Sequence, residues 1–255
     1  MAEMLQTRIA PAACPRCGAA SRAVEGPWGQ IARPCPSCRD WLLAEDQRRA
    51  ANELNAARAQ ADEQSGFPRR FRGVQLHAMS GTCEDHRRVL AACDRYLETF
   101  RRHEAEGTGM LFIGTPGTGK TTMACAVAQG VRERFGIGVK YARAADVVDL
   151  AFDRARGQGS LLAIESAGLL VLDELGAEGS HEFPARVLAS VLDRRYADQR
   201  PTILVSNLPD LPGDTPTLWE HLGAPVSDRV KSTMQILGCA WASLRHEVAG
   251  GRDGR

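Results

Sequence analysis

Residues 114–121 have the sequence Gly-Thr-Pro-Gly-Thr-Gly-Lys-Thr, which matches the pattern G-x-x-x-x-G-K-[ST] in full. The apolar run at 110–113 predicts a buried β-strand before it, and residues 122–128 predict a helix after it. A glycine-rich turn between a strand and a helix gathers backbone N–H groups at the helix N-terminus, where they favour an anion. The pattern in this setting predicts a phosphate-binding loop; a chance glycine-rich turn is the alternative.

The phosphate-binding loop suggests roles for individual side chains. Lys120 is expected to reach the β- and γ-phosphates of a nucleoside triphosphate, and the Thr121 hydroxyl is expected to bind Mg²⁺. We therefore expect ATP and Mg²⁺ as cofactors. The predicted nucleotide-binding residues are Gly114, Thr115, Pro116, Gly117, Thr118, Gly119, Lys120, Thr121, Thr122 and Asp173.

A second apolar run ends in two carboxylates. Residues 169–172 are continuously apolar, which is typical of a strand buried in a parallel sheet, and Asp173 and Glu174 follow. Because such sheets bind ligands at the carboxyl ends of their strands, both acids are expected near the phosphate-binding loop. Asp173 would hold the magnesium shell, and Glu174 would activate the attacking water as general base. The alternative is that two acids merely begin a polar loop.

Two further polar residues are candidates for the same chemistry. Asn207 ends the predicted apolar strand 202–207 and is expected to bond the γ-phosphate or the water, or else to cap the following turn. Arg229 is a candidate arginine finger, which would complete the ATP site of a neighbouring subunit. An ordinary surface ion pair is the alternative for Arg229. The predicted catalytic residues are Glu174, Lys120, Asn207 and Arg229.

Four of the eight cysteines form two Cys-Pro-x-Cys pairs near the N-terminus, Cys14 with Cys17 and Cys35 with Cys38. The spacing matches that of structural zinc sites, in which four thiolates surround one ion and leave no ligand position open. Zinc would supply folding free energy that about forty residues cannot obtain from burial alone. A redox dithiol and an iron–sulfur cluster are the alternatives. Trp28 and Ile31, between the pairs, are expected to form the small core of this module, with an exposed contact surface as the alternative.

The remaining sequence predicts a helical linker and a parallel α/β domain. Residues 40–64 contain neither Gly nor Pro and predict a helix with a thin apolar face, which Ser65-Gly66-Phe67-Pro68 ends. Helical spacing of apolar residues predicts helices over 85–104 and 183–199. Strands are predicted at 110–113, 139–142, 169–174 and 202–207. Four strands with intervening helices make a three-layer P-loop domain.

The expected domain organisation follows from these elements. A zinc module is expected at 1–40, a helical linker at 41–66, an ATPase domain at 67–248 and a disordered tail at 249–255. The formal net charge is +1, so no overall field favours nucleic acid or a membrane. No apolar run approaches the roughly 20 residues of a membrane span, and no signal peptide is visible. These features predict a cytoplasmic protein with no membrane partner.

The motifs together resemble the DnaC/IstB-type AAA+ ATPases, over roughly residues 67–247. The phosphate-binding loop at 114–121 and Leu-Asp-Glu-Leu-Gly at 172–176 are shared with many ATPases. Two matches are more specific: Ser-Asp-Arg-Val at 227–230 looks like the arginine-finger box of this family, and Trp241-Ala-Ser-Leu-Arg245 looks like its terminal motif. The resemblance also implies that a full C-terminal lid domain is lacking.

The resemblance implies a function as a replicative helicase loader. In this family a zinc-binding N-terminal segment of DnaC-like loaders contacts a DnaB-like helicase, and the ATPase core contacts single-stranded DNA. Subunits would form a homo-oligomer, hexameric on the helicase. Candidate DNA-contacting residues are Arg143, Arg154 and Arg156, with a solvated helix surface as the alternative. A transposition-helper ATPase of the IstB kind and a non-hydrolysing zinc adaptor are the rival functions.

Overall fold

A computed structural model describes residues 9–26, 29–155, 160–178, 182–213 and 215–244. The chain divides into two compact units, Met1–Ala61 and Asp62–Arg255. Among the described helices, none is both long and apolar enough to cross a bilayer.

The first unit contains a small antiparallel sheet. Its strands are β1 (Ile9–Ala13), β2 (Ala20–Gly26) and β3 (Gly29–Ala32), in the order β1-β2-β3. Helix α1 (Pro36–Ser65) begins four residues earlier than the predicted helix, because Pro36 suits the first helical position.

The prediction that Ile31 belongs to the core of this unit is wrong, because Ile31 is 54% exposed. Trp28 lies outside the described residues. Three cysteines form the buried cluster instead, because β3 has only four residues and pairs with β2 alone.

The second unit is built around a sheet of five parallel strands. They are β4 (Gly109–Gly114), β5 (Val139–Arg143), β6 (Leu169–Leu175), β7 (Thr202–Ser206) and β8 (Met234–Cys239). Their order is β5-β6-β7-β4-β8, and every pairing is parallel. This order places the ends of β6, β7 and β4 next to one another, so the loops that follow these strands share one edge of the sheet.

Helices cover both faces of the sheet. They are α2 (Glu84–Glu98), α3 (Phe100–Glu106), α4 (Lys120–Phe135), α5 (Ala144–Ala155), α6 (Leu162–Glu165), α7 (Glu182–Ala197) and α8 (Leu218–Thr233). Along β4, Met110 and Phe112 join one apolar core with α2 and α4, whereas Leu111 and Ile113 join another with α5, α7 and α8. Since alternate strand residues point to opposite faces, two cores confirm the predicted three-layer architecture.

Two predictions about the elements need correction. The sheet has five strands rather than four, because the short stretch Met234–Cys239 adds a parallel edge strand beside β4. The single helix predicted over 85–104 is two helices, α2 and α3. They are separated at Thr99, whose hydroxyl donates to the Arg95 carbonyl oxygen at 2.7 Å and so competes with the helical backbone pattern.

Candidate functional site: a nucleotide cavity and a four-cysteine cluster

The phosphate-binding loop joins β4 to α4, as the motif predicts. Gly117 has φ 87°, and a Cβ atom at this position would lie 2.1 Å from Ser243 Oγ. Its carbonyl oxygen accepts a hydrogen bond from the Leu244 backbone N–H at 2.9 Å. The chain after β8 therefore lies directly on the loop, and only glycine permits so close an approach.

Lys120 lies at the first position of α4 and is 4% exposed. Its Nζ donates to the carbonyl oxygens of Gly114 at 2.8 Å and Thr115 at 2.6 Å. Thr118 is fully buried, and its hydroxyl also donates to the Thr115 carbonyl oxygen, at 3.0 Å. These bonds hold the ammonium group inside the turn, beside the N-terminus of α4, where a bound phosphate would meet it.

Asp173 is buried at the end of β6, with 3% exposure. Its Oδ1 accepts from the Thr121 hydroxyl at 3.2 Å and from the Glu174 backbone N–H at 2.8 Å. Its Oδ2 accepts from the Tyr141 hydroxyl at 2.7 Å. A hydroxyl and a carboxylate in direct contact are hard oxygen ligands of the kind that Mg²⁺ takes, so the residues present fit this ion.

Glu174 is exposed beside the phosphate-binding loop, in contrast to the buried Asp173. Its backbone has φ 57°, a left-handed conformation that is uncommon for a residue other than glycine. Glu174 and Asn207 are both exposed, and both line the same cavity. Strained backbone of this kind concentrates at functional sites.

The cavity beside the phosphate-binding loop has a volume of about 360 Å³. The predicted residues that line it are Pro116, Gly117, Gly119, Lys120, Thr121, Thr122, Asp173, Glu174 and Asn207. The structure thus brings together three predicted segments that are far apart in sequence. The volume of the cavity falls within the range of small-molecule sites, roughly 300–1,000 Å³.

Four lining residues were not predicted from the sequence: Arg70, Phe71, Met79 and Leu244. Arg70 lies over the ring of Phe71, with its Cζ atom 4.4 Å from the ring centroid. A guanidinium group, an aromatic ring and a thioether suit the flat face of a nucleobase, whereas the loop suits phosphates. The sequence carried a signal for Leu244 alone, which belongs to the terminal motif at 241–245.

The terminal motif contributes a second contact with the loop. The Trp241 indole Nε1 donates to the Thr118 carbonyl oxygen at 3.0 Å, and its ring stacks on His86 with centroids 4.6 Å apart. Burial lowers the pKa of His86, so this ring is neutral and packs as an apolar group at neutral pH. The terminal motif at 241–245 therefore supports the conformation of the phosphate-binding loop.

Arg229 is the one predicted catalytic residue that lies elsewhere. It follows a break in α8 at Gly223 and forms an ion pair with Asp193. Its guanidinium Cζ lies 5.5 Å from the ring centroid of Tyr196. Its side chain is 36% exposed and lies outside the set of residues that line the nucleotide cavity. Within one subunit, Arg229 is therefore an ion-paired surface residue.

The four paired cysteines converge in the first unit. Cys14 follows β1, while Cys35 precedes α1 and Cys38 lies in its first turn. Their four sulfur atoms all lie within 4.8 Å of one another, and the sulfurs of Cys17 and Cys35 are 3.7 Å apart. A tetrahedral zinc site with Zn–S bonds of about 2.3 Å has sulfurs about 3.8 Å apart, so the cluster fits one ion.

Two thiol groups of this cluster have pKa values shifted in opposite directions. Backbone N–H groups of Cys35 and Cys17 lower the pKa of Cys14 to about 6. Hydrogen bonds with the Cys17 and Cys35 side chains raise the pKa of Cys38 to about 12. Four neighbouring thiolates repel one another, and a divalent ion removes that repulsion, so the cluster has the donor chemistry of a Cys₄ metal site.

Known proteins resemble this chain in sequence and in fold. It is 27% identical over 175 residues to the "Replicative helicase loader DnaC" of Escherichia coli K12, covering 66% of this chain and 67% of that protein. The crystal structure of the DnaC helicase loader superposes with a TM-score of 0.61 at 23% identity, covering 68% of this chain and 99% of that chain. AMPPCP-bound DnaA from Aquifex aeolicus gives a TM-score of 0.54 at 18% identity, over 70% of this chain and 54% of that chain.

These neighbours confirm the predicted P-loop AAA+ fold. The family model described as "IstB-like ATP binding protein" matches residues 77–246, more than half of the 255-residue chain. This range contains the phosphate-binding loop and both acids of β6. The chain therefore belongs to the family of IstB-like ATP-binding proteins.

Proposed function

We propose that this protein is an ATP-dependent loader, which delivers a DnaB-like replicative helicase to single-stranded DNA at the initiation of DNA replication. The observation that carries the proposal is the likeness to the replicative helicase loader DnaC, at 27% identity over 175 residues. A four-cysteine unit precedes the ATP-binding domain in the sequence. This supports a loader whose zinc-binding segment contacts the helicase.

ATP hydrolysis is the proposed chemical step. Glu174 would take a proton from the attacking water, whose oxygen then bonds to the γ-phosphorus as the bond to the bridging oxygen of ADP breaks. Lys120 and the backbone N–H groups at the start of α4 would bind the phosphate oxygens. Thr121 and Asp173 would hold Mg²⁺, which neutralises phosphate charge when bound. Asn207, at the end of β7, would orient the water or the γ-phosphate.

Arg229 is proposed to act in a neighbouring subunit of a homo-oligomer. Its guanidinium pairs with Asp193 on the surface, 36% exposed, so a phosphate from another subunit can compete for it. A head-to-tail interface repeats around a ring or spiral, hexameric on the helicase, and gives every ATP site one arginine from the next subunit.

Mixing two inactive variants tests the shared site. Arg229→Ala is expected to lower ATP turnover to less than about a tenth, since the developing phosphoryl charge loses its partner. An equal mixture with Lys120→Ala should regain about a quarter of wild-type turnover, because random assembly gives that share of sites an intact loop and an intact arginine. Arg88→Ala, which also removes an ion-paired surface arginine, is the control. Full activity of Arg229→Ala, or a mixture that stays inactive, would contradict the shared site.

The first unit offers an apolar surface for the helicase. Trp41 is 43% exposed and Leu43 is 55% exposed, both near the start of α1, and Leu42 lies between them. The Arg16 guanidinium lies over the Trp41 ring, 3.2 Å from its centroid. Aromatic residues and arginine are enriched at protein interfaces, so this surface is the proposed helicase contact.

Single-stranded DNA is proposed to bind at an exposed aromatic pair. Phe152 on α5 and Phe183 on α7 are 44% and 38% exposed, and their rings stack with centroids 4.2 Å apart. A groove of about 420 Å³ adjoins Phe183, and Arg154 and Arg186 line it. Aromatic faces beside arginines suit unpaired bases and phosphates. Of the other predicted contacts, Arg143 is paired with Asp146 at 2.7 Å, and Arg156 lies outside the described residues.

Removing one ring of this pair tests the DNA site. Phe183→Ala is expected to weaken binding to an oligothymidine roughly ten-fold, because one base–aromatic stack is lost. Phe183→Trp should retain the affinity, and Leu211→Ala, at a 74% exposed apolar residue, is the control. Fluorescence anisotropy measures the binding. The site is refuted if Phe183→Ala binds as tightly as the wild-type protein.

A retention assay with the purified host helicase tests the proposed function. The tagged protein is expected to retain the helicase in the presence of ATP, and to transfer it to circular single-stranded DNA. Lys120→Ala should not support the transfer. Retention of a transposase in place of the helicase would favour the IstB-like rival, and an absence of ATP turnover with and without DNA would favour the zinc adaptor.

A further inference from the structure

Tyr141 on β5 reaches across to the acid at the end of the neighbouring strand. Its side chain is 8% exposed, and its hydroxyl donates to Asp173 Oδ2 at 2.7 Å.

The two oxygens of Asp173 are bonded from different sides: Tyr141 bonds Oδ2, and the segments around the phosphate-binding loop bond Oδ1. Oδ1 is bonded by the Thr121 hydroxyl and by the Glu174 backbone N–H, both of which belong to segments lining the nucleotide cavity. The hydrogen bond to Oδ2 comes from a separate strand. A carboxylate bonded at both oxygens has a fixed plane, which decides where its remaining lone pairs point.

We propose that Tyr141 is a positioning residue, which orients the Asp173 carboxylate toward the metal shell of bound ATP. The inference rests on the proposed ATP–Mg²⁺ site and names a residue that neither the motifs nor the comparisons assign. Tyr141 acts through Asp173 and does not itself line the cavity among the described residues. Outer partners of this kind raise metal affinity by holding a ligand in its binding orientation.

The position of Tyr141 itself depends on the segment that enters the ATP-binding domain. Its ring packs against buried Phe67, with centroids 6.0 Å apart. Gly66 approaches so closely that a Cβ there would lie 2.7 Å from the Tyr141 carbonyl oxygen. Lys140, the preceding residue of β5, donates through Nζ to the Gln64 carbonyl oxygen. Residues 64–67 therefore contact β5 at Lys140 and Tyr141, and the Tyr141 side chain links Phe67 to Asp173.

Removing only the hydroxyl separates positioning from packing. Tyr141→Phe keeps the ring against Phe67 and removes the hydrogen bond to Asp173. Tyr96→Phe is the matched control, because Tyr96 is also buried and its hydroxyl donates to the Thr108 carbonyl oxygen at 3.1 Å, away from the cavity. The affinity for a fluorescent, non-hydrolysable ATP analogue is measured in excess Mg²⁺ and in EDTA.

The informative quantity is the ratio of the two affinities, which reports how much the metal strengthens nucleotide binding. In Tyr141→Phe this ratio is expected to fall about ten-fold, with the affinity in EDTA unchanged, whereas Tyr96→Phe keeps the wild-type ratio. A wild-type ratio in Tyr141→Phe overturns the inference and leaves the proposed function standing. Equal weakening in both buffers indicates a structural role and also overturns it. If the wild-type protein fails to bind the analogue, the proposed ATP site fails as well.

Discussion

Glu174→Gln is expected to reduce ATP turnover about a thousand-fold while nucleotide binding is retained. General base catalysis typically contributes 10²–10⁴-fold, and glutamine keeps the size of the side chain but cannot accept the proton of water. The exposed position of Glu174 in the cavity wall leaves its carboxylate available to a bound water. Phosphate release measures the turnover, and a fluorescent ATP analogue measures the binding.

A substitution of the adjacent acid, Asp173, shows whether the loss of turnover is specific to Glu174. Asp173→Asn is expected to weaken the nucleotide affinity in Mg²⁺, because Asp173 is the buried acid bonded to Thr121. Glu98→Gln, at an exposed position of α2, is the matched control and should leave turnover unchanged. Unaltered turnover in Glu174→Gln would show that the base is wrongly assigned.

Cys35→Ser is expected to unfold the first unit, Met1–Ala61, and to release one zinc ion per chain. The buried cluster of this unit consists of cysteines, and structural zinc contributes on the order of 10 kcal/mol of folding free energy at neutral pH. Limited proteolysis would then remove the first unit, while the Asp62–Arg255 unit continues to bind nucleotide. Metal content is measured by atomic emission.

Acid treatment should give the same result as the substitution. Protonation of the thiolates as the pH falls displaces the ion, so zinc release should accompany loss of helicase retention. Cys83→Ser is the control, because this cysteine caps α2, where its sulfur accepts from the His86 backbone N–H, and serine caps a helix at least as well. Iron in place of zinc, or a first unit that stays folded without metal, would refute the zinc site.

The local motifs of this chain could be predicted from the sequence, because their function depends on residues close together in the chain. The phosphate-binding loop needs only a strand, a turn and a helix in succession. The cysteine pairs need only two tight turns of correct spacing. Asp173, Glu174 and Asn207 could be placed near the loop because parallel strands bring their carboxyl ends to one edge.

Contacts between distant segments could not be predicted in this way. Tyr141 and Asp173 are 32 residues apart, and only the pairing of β5 with β6 brings the hydroxyl to the carboxylate. The Trp241 indole reaches the Thr118 carbonyl oxygen, 123 residues away, because β8 lies beside β4. The exposure of Ile31 likewise depends on the pairing of β3 with β2 alone, which local spacing does not encode.

The sequence by itself determined the chemistry of this protein: the phosphate-binding loop, the two acids of β6 and the four thiols. The positions of these groups depend on backbone geometry that short stretches of sequence determine. The tertiary structure decided how that chemistry is held in place. Side-chain packing across the five-stranded sheet orients Asp173 through Tyr141, lays the Trp241–Leu244 segment on the loop, and leaves Arg229 paired with Asp193 outside the cavity of its own subunit.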